Sequence, residues 1–267
     1  MTATDSQALD RELSLMEARM LEHAAVKELA AFGKLLASKP LDARELKTFF
    51  ATMGAFFKTV PTGILALALK ISDDWMARGD RYGATAMGAY ILFADVDEFG
   101  LHDLRNGMQR THHQLFQELT AHLKVSEADM QDPRYLLPVG QILGERTTEY
   151  YRHRSIGEAL GFHLASEVTS SEEFVYFLNG FLKYKEHYGV KDDADPVLHF
   201  FRVHTVVEPM HKSMGRSMIE IYAAQDPAIL KQVEAGAMAF CEGFADLFRA
   251  LNEALSASAP EARRNVG

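Results

Sequence analysis

Cysteine, strand-like patterns and long apolar runs are all scarce in this chain. Cys241 is the only cysteine among 267 residues, which excludes an internal disulfide and is typical of a reducing cytosol. Alternating runs of β-branched residues are almost absent, which argues against a sheet. The apolar stretch 63–68 is followed by Lys70 and Asp73, far short of the ~20 residues that a membrane span needs. The first six residues are polar and contain no apolar signal core, so we predict a cytoplasmic protein with no membrane partner.

Positive charge is also in short supply. The chain has 28 Lys and Arg against 37 Asp and Glu, for a net charge of -9, which argues against a nucleic-acid partner. Hydrophobic residues make up 48% of the chain, enough to bury one large core. We therefore expect a single helical domain over residues 1–256 and a flexible C-terminal tail over residues 257–267.

Helical periodicity dominates what remains. Apolar residues recur at helical spacing over most of the chain, and capping signals mark several starts, such as Asp42 with Glu45 and Ser170 with Glu173. We predict an all-α, single-domain bundle of about eight helices. The longer predicted helices cover residues 9–37, 82–98, 138–168 and 196–224.

Three metal-type ligands share one face of the last of these helices. His204, Glu208 and His211 follow one another at steps of four and three residues, which an α-helix places on one side over two turns. The neighbouring residues are mostly apolar, so the helix is predicted to be buried, and buried ionisable groups are costly unless they are paired or metal-bound. Mixed imidazole and carboxylate ligation suits iron and its neighbours. A buried hydrogen-bonded pair remains the alternative.

Further candidate ligands lie on other helices. Glu98 ends an apolar helix, His112 begins an amphipathic one, and Glu167 lies four residues after His163. Each residue alone is a weak signal, since a His and Glu pair at that spacing can be an ordinary side-chain contact. Their distribution over three helical segments is what metal sites in helical bundles look like.

The order of these residues resembles that of the haem-oxygenase-like diiron oxidases and oxygenases. In that family three core helices supply a glutamate and a histidine, then a second glutamate, then a His-x3-Asp/Glu-x2-His set. The resemblance covers residues 49–224 and implies a haem-oxygenase-like fold with two Fe(2+) per chain and O2 as co-substrate. The metal ligands that it implies are Glu98, His112, Glu167, His204, Glu208 and His211.

Two departures from the family pattern leave alternatives open. The interval between Glu98 and His112 is longer than in several family members, so His113 or His102 could replace His112 as a ligand. Glu208 stands where aspartate is more frequent, and its longer side chain leaves the coordination mode open.

Related folds fit the sequence less well. A ferritin-like diiron protein needs two Glu-x-x-His motifs on separate helices, and only Glu208 with His211 has that spacing. A haem oxygenase needs a proximal histidine near its first helix, for which His23 is the only candidate. Thiaminase-like relatives use a cysteine, and Cys241 is predicted to be a core residue.

The resemblance also implies a reaction class. We expect a non-haem diiron oxygenase or oxidase that acts on a small organic molecule, most readily an amino acid or amine, by N-oxygenation, desaturation or oxidative C–C cleavage. The alternatives are a fatty-acid decarboxylase or desaturase of the same family and a non-enzymatic helical binding protein. A homodimer and an external electron donor stay open.

Overall fold

The computed structural model describes residues 3–101, 107–169 and 172–257. Over these residues it contains α-helices and short 3-10 turns and no strand, so the predicted all-α fold is confirmed. Twelve α-helices cover the described residues, whereas the sequence predicts about eight. They are α1 (Ala3–Glu22), α2 (Ala24–Ser38), α3 (Ala43–Phe57), α4 (Val60–Ala77), α5 (Arg81–Ala94), α6 (His112–His122), α7 (Glu127–Gln131), α8 (Pro138–Arg152), α9 (Ile156–Thr169), α10 (Glu173–Lys183), α11 (His199–Ala223) and α12 (Ile229–Ser256).

The additional helices come mainly from breaks that carry neither proline nor glycine. The predicted helix 9–37 is divided at His23, whose side chain accepts a hydrogen bond from the backbone N–H of Ala25 and so caps α2. The predicted helix 138–168 is divided at residues 153–155. A polar residue can offer the backbone such an alternative hydrogen bond without any change in apolar periodicity, which is why the pattern missed both breaks.

Several predicted helix starts are confirmed. Asp42 and Glu45 form a reciprocal capping box at the start of α3, and Thr111 caps α6. Each cap satisfies backbone N–H groups that have no partner inside the helix. The predicted cap at Ser170 lies outside the described residues, and α10 begins at Glu173.

Two glycines bring α9 and α12 into backbone contact. A Cβ atom on Gly161 would lie 1.8 Å from the carbonyl oxygen of Val233, and one on Gly236 would lie 1.9 Å from that of Glu158. No side chain fits at such distances, so these positions require glycine. The position of α9, which carries Glu167, is therefore fixed against α12.

The buried apolar side chains form one hydrophobic cluster to which α1 and α12 both contribute. Phenylalanines fill much of it: Phe32 lies 5.4 Å from both Phe49 and Phe248 between ring centroids. Burying one such ring contributes about 1.5–3 kcal/mol. The proposed domain limits of 1–256 and 257–267 stay a prediction, because residues 258–267 lie outside the described part.

Within the described residues, one helical stretch is apolar enough to cross a membrane by length and composition. It covers residues 43–77, which are α3 and α4, and 44% of its most apolar window is buried inside the fold. Phe49 and Ile64 from these helices are almost fully buried in the core. Burial of this kind is typical of a core helix, and the cytoplasmic location stays a prediction.

Candidate metal centre

A 3-10 turn replaces the end of the predicted helix 82–98. The helix α5 ends at Ala94, and residues Val96–Phe99 form the turn. In a 3-10 turn side chains repeat about every three residues rather than every 3.6. Asp95, Asp97 and Glu98 all reach histidines of the site, as the distances below show.

Gly100 contacts Gln109 on the other side of the segment that connects the turn with α6. Its backbone is left-handed with φ +69°, and its carbonyl oxygen accepts a hydrogen bond from the N–H of Gln109 at 2.7 Å. A Cβ atom on Gly100 would lie 2.3 Å from the carbonyl oxygen of Gln109. The loop therefore closes at its base and returns the chain to the start of α6, so the long interval between Glu98 and His112 does not separate them.

Glu98, His112 and His204 form the first of two clusters. Each offers one ligand atom, and these atoms all lie within 4.8 Å of one another. Oε1 of Glu98 is 3.0 Å from Nδ1 of His112 and 3.9 Å from Nε2 of His204. Nδ1 of His204 lies 2.7 Å from the carbonyl oxygen of Phe200, to which it donates its proton. That hydrogen bond fixes the tautomer and leaves Nε2 as the ligand atom.

The second cluster consists of Asp95, His163 and Glu167, and meets the same distance limit. Nε2 of His163 lies 3.8 Å from Oδ2 of Asp95, and Nδ1 lies 3.9 Å from Oε1 of Glu167. The hydroxyl of the buried Tyr151 is hydrogen-bonded to Nδ1 of His163 at 3.1 Å. The imidazole is thus held on one side, while Nε2 faces the carboxylate.

Asp97 and His211 connect the clusters. One oxygen of Asp97 lies 2.9 Å from Nε2 of His211, and the other lies 3.1 Å from Nε2 of His112. Nδ1 of His211 is 3.5 Å from Oε2 of Glu167 and 3.8 Å from Oδ1 of Asp95. Histidines and carboxylates from four segments of the chain therefore form one buried network.

Cationic imidazoles balance the carboxylates of this network. Burial alone lowers the pKa of His211, but Asp97 and Glu167 raise it to about 12. His112 behaves alike: burial lowers its pKa, and Glu98 and Asp97 raise it to about 9. Burial also raises the pKa of Asp97, but the nearby imidazoles of His112 and His211 lower it below its usual value. The cluster of acids thus needs positive charge, which protons provide here and which metal ions also provide.

Unsatisfied atoms show that the residues fit a metal. Oδ2 of Asp95, Nε2 of His163 and both ring nitrogens of His112 are buried and form no aligned hydrogen bond among the described residues. The nitrogens of His112 are close to carboxylate oxygens but are not oriented towards them as hydrogen-bond partners. Buried polar atoms are rarely left in this state without a ligand or water. Imidazole nitrogen and carboxylate oxygen form a donor set suited to iron.

The structure brings together most of the predicted site residues. Glu98, His112 and His204 lie in the first cluster, Glu167 lies in the second, and His211 lies beside both. The side chain of Glu208 lies outside the described residues, so Glu208 stays a predicted ligand.

The two alternative histidines take different places. His113 has an exposed side chain and belongs to neither cluster, whereas His112, its neighbour, is 4% exposed. His102 lies outside the described residues. The geometry favours His112 over His113.

Three residues of the network were not predicted as ligands. Asp95 and Asp97 were assigned to a predicted helix that continued to Glu98, whereas α5 ends at Ala94 and Asp97 lies in a 3-10 turn. His163 was interpreted as an ordinary contact of Glu167. Its position on the most buried helix face, within Ala159–Leu-Gly-Phe-His163–Leu-Ala, is the signal that could have identified it, since its side chain is 1% exposed.

An internal cavity of about 410 Å³ adjoins the two clusters. Asp95, Glu98, His112 and Glu167 line it together with eight phenylalanines. The ring of Phe174 stacks on the imidazole of His204 at 3.8 Å between centroids. A cavity of this size and composition fits a small, largely apolar ligand next to the clusters.

Comparison with known proteins identifies a family. The model of a family described as "iron-containing redox enzyme", which is haem-oxygenase-like, matches residues 87–244. The match covers more than half of the chain and includes both clusters. No curated protein matches the chain in sequence.

Solved structures give the same fold. A CADD-like protein of unknown function from Nostoc punctiforme PCC 73102 has been crystallised twice, at 2.00 Å and 1.35 Å resolution. The two structures are 15% identical to this chain and superpose with TM-scores of 0.60 and 0.62. Each comparison covers 95% of this chain and 99% or 98% of the other. The predicted resemblance to haem-oxygenase-like proteins is confirmed at the level of family and fold.

Proposed function

Because the chain belongs to the family of iron-containing redox enzymes, we propose that it is a non-haem diiron oxygenase or oxidase that uses O2 to oxidise a small organic molecule. The observation that carries the proposal is the pair of buried His and carboxylate clusters beside one cavity. Each cluster offers ligand atoms for one ion, and Asp97 with His211 lies between them.

The distances between candidate ligand atoms support an assignment of the residues to two ions. Glu98, His112 and His204 would hold the first ion, and Asp95, His163 and Glu167 would hold the second. His211 would join the second set through Nδ1, which faces Glu167, and Glu208 remains a candidate for either. Two ferrous ions bound in these sets would supply electrons for the reduction of O2.

The chain itself fixes the ligands and protects the site. The carbonyl oxygen of Phe200 orients His204 through Nδ1, and the hydroxyl of Tyr151 orients His163 through Nδ1. Such outer contacts hold a ligand in one tautomer and one orientation. The stacked ring of Phe174 covers one face of His204. The phenylalanines make much of the cavity wall apolar, and an apolar wall strengthens electrostatic interactions beside it.

The substrate class is proposed as an amino acid or amine. An oxygenation puts one oxygen atom of O2 into the product and the other into water. The substrate supplies two of the four electrons that this reduction of O2 requires. The reaction also consumes two protons and two further electrons. An external electron donor would deliver those electrons. A desaturation that forms two water molecules from O2 has the same requirement.

Anaerobic titration with ferrous iron tests the proposal. We expect close to two ions per chain, and about one fewer in the variants His204→Ala and Glu167→Ala. His113→Ala is the matched control, because it removes an exposed histidine next to His112 without touching either cluster. Oxygen consumption should depend on both ions and on the substrate. A chain that binds no iron under these conditions is not a diiron enzyme.

A further inference from the structure

A carboxyl group remains unpaired in the core. Glu173, the first residue of α10, is 1% exposed, and its Oε1 forms no hydrogen bond in the described part of the chain. None of the Lys, Arg or His side chains there forms an ion pair with it. Burial raises the pKa of Glu173 well above its usual value. The start of a helix favours negative charge only weakly, and this gain is small beside the cost of burying an ionised carboxylate.

Glu173 lines the same cavity as the two clusters. Its neighbour Phe174 stacks on His204 and also lies 5.7 Å from Phe200 between ring centroids. A molecule in this cavity would therefore meet aromatic rings on its sides and could reach both Glu173 and the metal clusters.

Acidic groups dominate the described lining of the cavity. Asp95, Glu98 and Glu167 are already used by the clusters, which leaves Glu173 inside and the exposed Glu127. Lys58 is the one Lys or Arg in the lining, and its side chain is exposed. In the buried part of this lining, Glu173 is the carboxyl group outside the clusters that can face a cation, and the basic groups are imidazoles that belong to the network of the two clusters.

We propose that Glu173 binds the ammonium group of an apolar primary amine and thereby determines which substrates the cavity accepts. The apolar body of the ligand packs against the phenylalanines, and its charged end satisfies the carboxyl group, which has no hydrogen-bond partner among the described residues. This inference rests on the proposed function for the role of the cavity as the substrate site. It favours amines over the fatty acids that the family resemblance leaves open, because an ammonium group supplies the positive charge that offsets the burial of an ionised Glu173, whereas a fatty-acid carboxylate supplies none.

Calorimetric titration of the full chain loaded with Zn(2+), which replaces iron without redox chemistry, tests the inference. The probes are n-heptylamine, 1-heptanol and heptanoate, which have bodies of equal length and differ in the polar end. We expect the amine to bind most tightly and to lose tenfold or more in affinity in Glu173→Gln and Glu173→Leu, since a buried charge-assisted hydrogen bond is lost. Heptanol should bind equally to all variants. Glu127→Gln is the matched control, because it removes an exposed carboxylate of the same cavity.

Other results overturn the inference. An amine bound by the metal rather than by Glu173 would keep its affinity in both Glu173 variants. Equal losses for amine and alcohol would mean that Glu173 only supports packing, and tighter binding of heptanoate than of heptylamine would reverse the proposed selectivity. Zinc content is measured separately. A chain that takes up no metal contradicts the proposed function, while the same titration of the metal-free chain still decides the role of Glu173.

Discussion

Asp97 and His211 are 114 positions apart in the chain, yet Oδ1 of Asp97 lies 2.9 Å from Nε2 of His211. The second oxygen of the same carboxylate lies 3.1 Å from Nε2 of His112. One side chain of a short turn thus connects α6 with α11, and with them the two clusters.

Replacing Asp97 tests this connection. Asp97→Asn keeps the shape of the side chain but removes the negative charge between two imidazoles. Residues that orient metal ligands typically contribute 10–100-fold to metal affinity, so we expect the affinity for ferrous iron to fall by about that factor. Anaerobic titration measures it. Asp193→Asn is the control, because the Asp193 side chain is 78% exposed, and unchanged affinity in Asp97→Asn would contradict the proposed role.

Gly100→Ala should disturb the loop that returns the chain to His112. Its Cβ atom would clash with the carbonyl oxygen of Gln109, whereas a Cβ atom on Gly107 would meet nothing within 4 Å. Both glycines have positive φ, so each variant pays the left-handed penalty of about 1–2 kcal/mol. We expect urea unfolding to show a larger loss in Gly100→Ala, and iron affinity to fall in that variant alone. Equal losses of stability and unchanged iron affinity would show that the contact with Gln109 is unimportant.

Tyr151→Phe should weaken the second ion selectively. The change removes the hydroxyl that is hydrogen-bonded to Nδ1 of His163, so the imidazole loses one constraint on its orientation. We expect one ferrous ion to bind about 10–100-fold more weakly and the other to bind as before. Tyr150→Phe removes the neighbouring hydroxyl, on a ring that stacks on Phe162, and serves as the control. Equal weakening of both ions would disagree with the assignment of His163 to one cluster.

A pH-dependent contribution to stability should come from Glu17. Burial raises its pKa, but Lys212 at 2.9 Å and Arg216 at 2.6 Å lower it below its usual value. A carboxylate whose pKa is lowered in the folded state contributes stability above its unfolded pKa of about 4.3 and loses it as pH falls through the folded pKa.

The variant Glu17→Gln isolates this contribution. We expect a loss of roughly 1 kcal/mol in the free energy of unfolding at pH 7, after allowance for solvent screening. The difference from the unchanged protein should shrink as pH falls below about 4. Glu12→Gln, on the exposed side of α1, should show a much smaller difference at every pH. A difference for Glu17→Gln that stays constant down to low pH would exclude the ion pairs as its source.

Residues held by regular helices could be predicted from the sequence. His204 and His211 share a face of α11 because helical spacing places them there, and Glu167 could be recognised from its distance to His163. Capping residues such as Asp42 also predicted helix starts correctly, because their hydrogen bonds are local.

Residues held by irregular backbone could not be predicted in the same way. Asp95 and Asp97 reach the site from the segment where α5 ends early and a 3-10 turn follows, and apolar periodicity does not indicate that change. From the sequence, Glu173 was predicted to be part of a helix cap with Ser170. Whether its carboxyl group has a partner depends on the side chains that surround it in three dimensions. Tertiary packing decides both cases.

The glycine contact between α9 and α12 limits how far the ligands on α9 can be displaced. Gly161 and Glu167 are six residues apart on one helix, which corresponds to about 9 Å along its axis. A side chain at Gly161 would push the helices apart at the backbone of Val233. Metal sites tolerate displacements of only about 0.5 Å. The alignment of the ligands on α9 is thus decided on the opposite face of that helix, and substitutions there would act on metal affinity without touching a ligand.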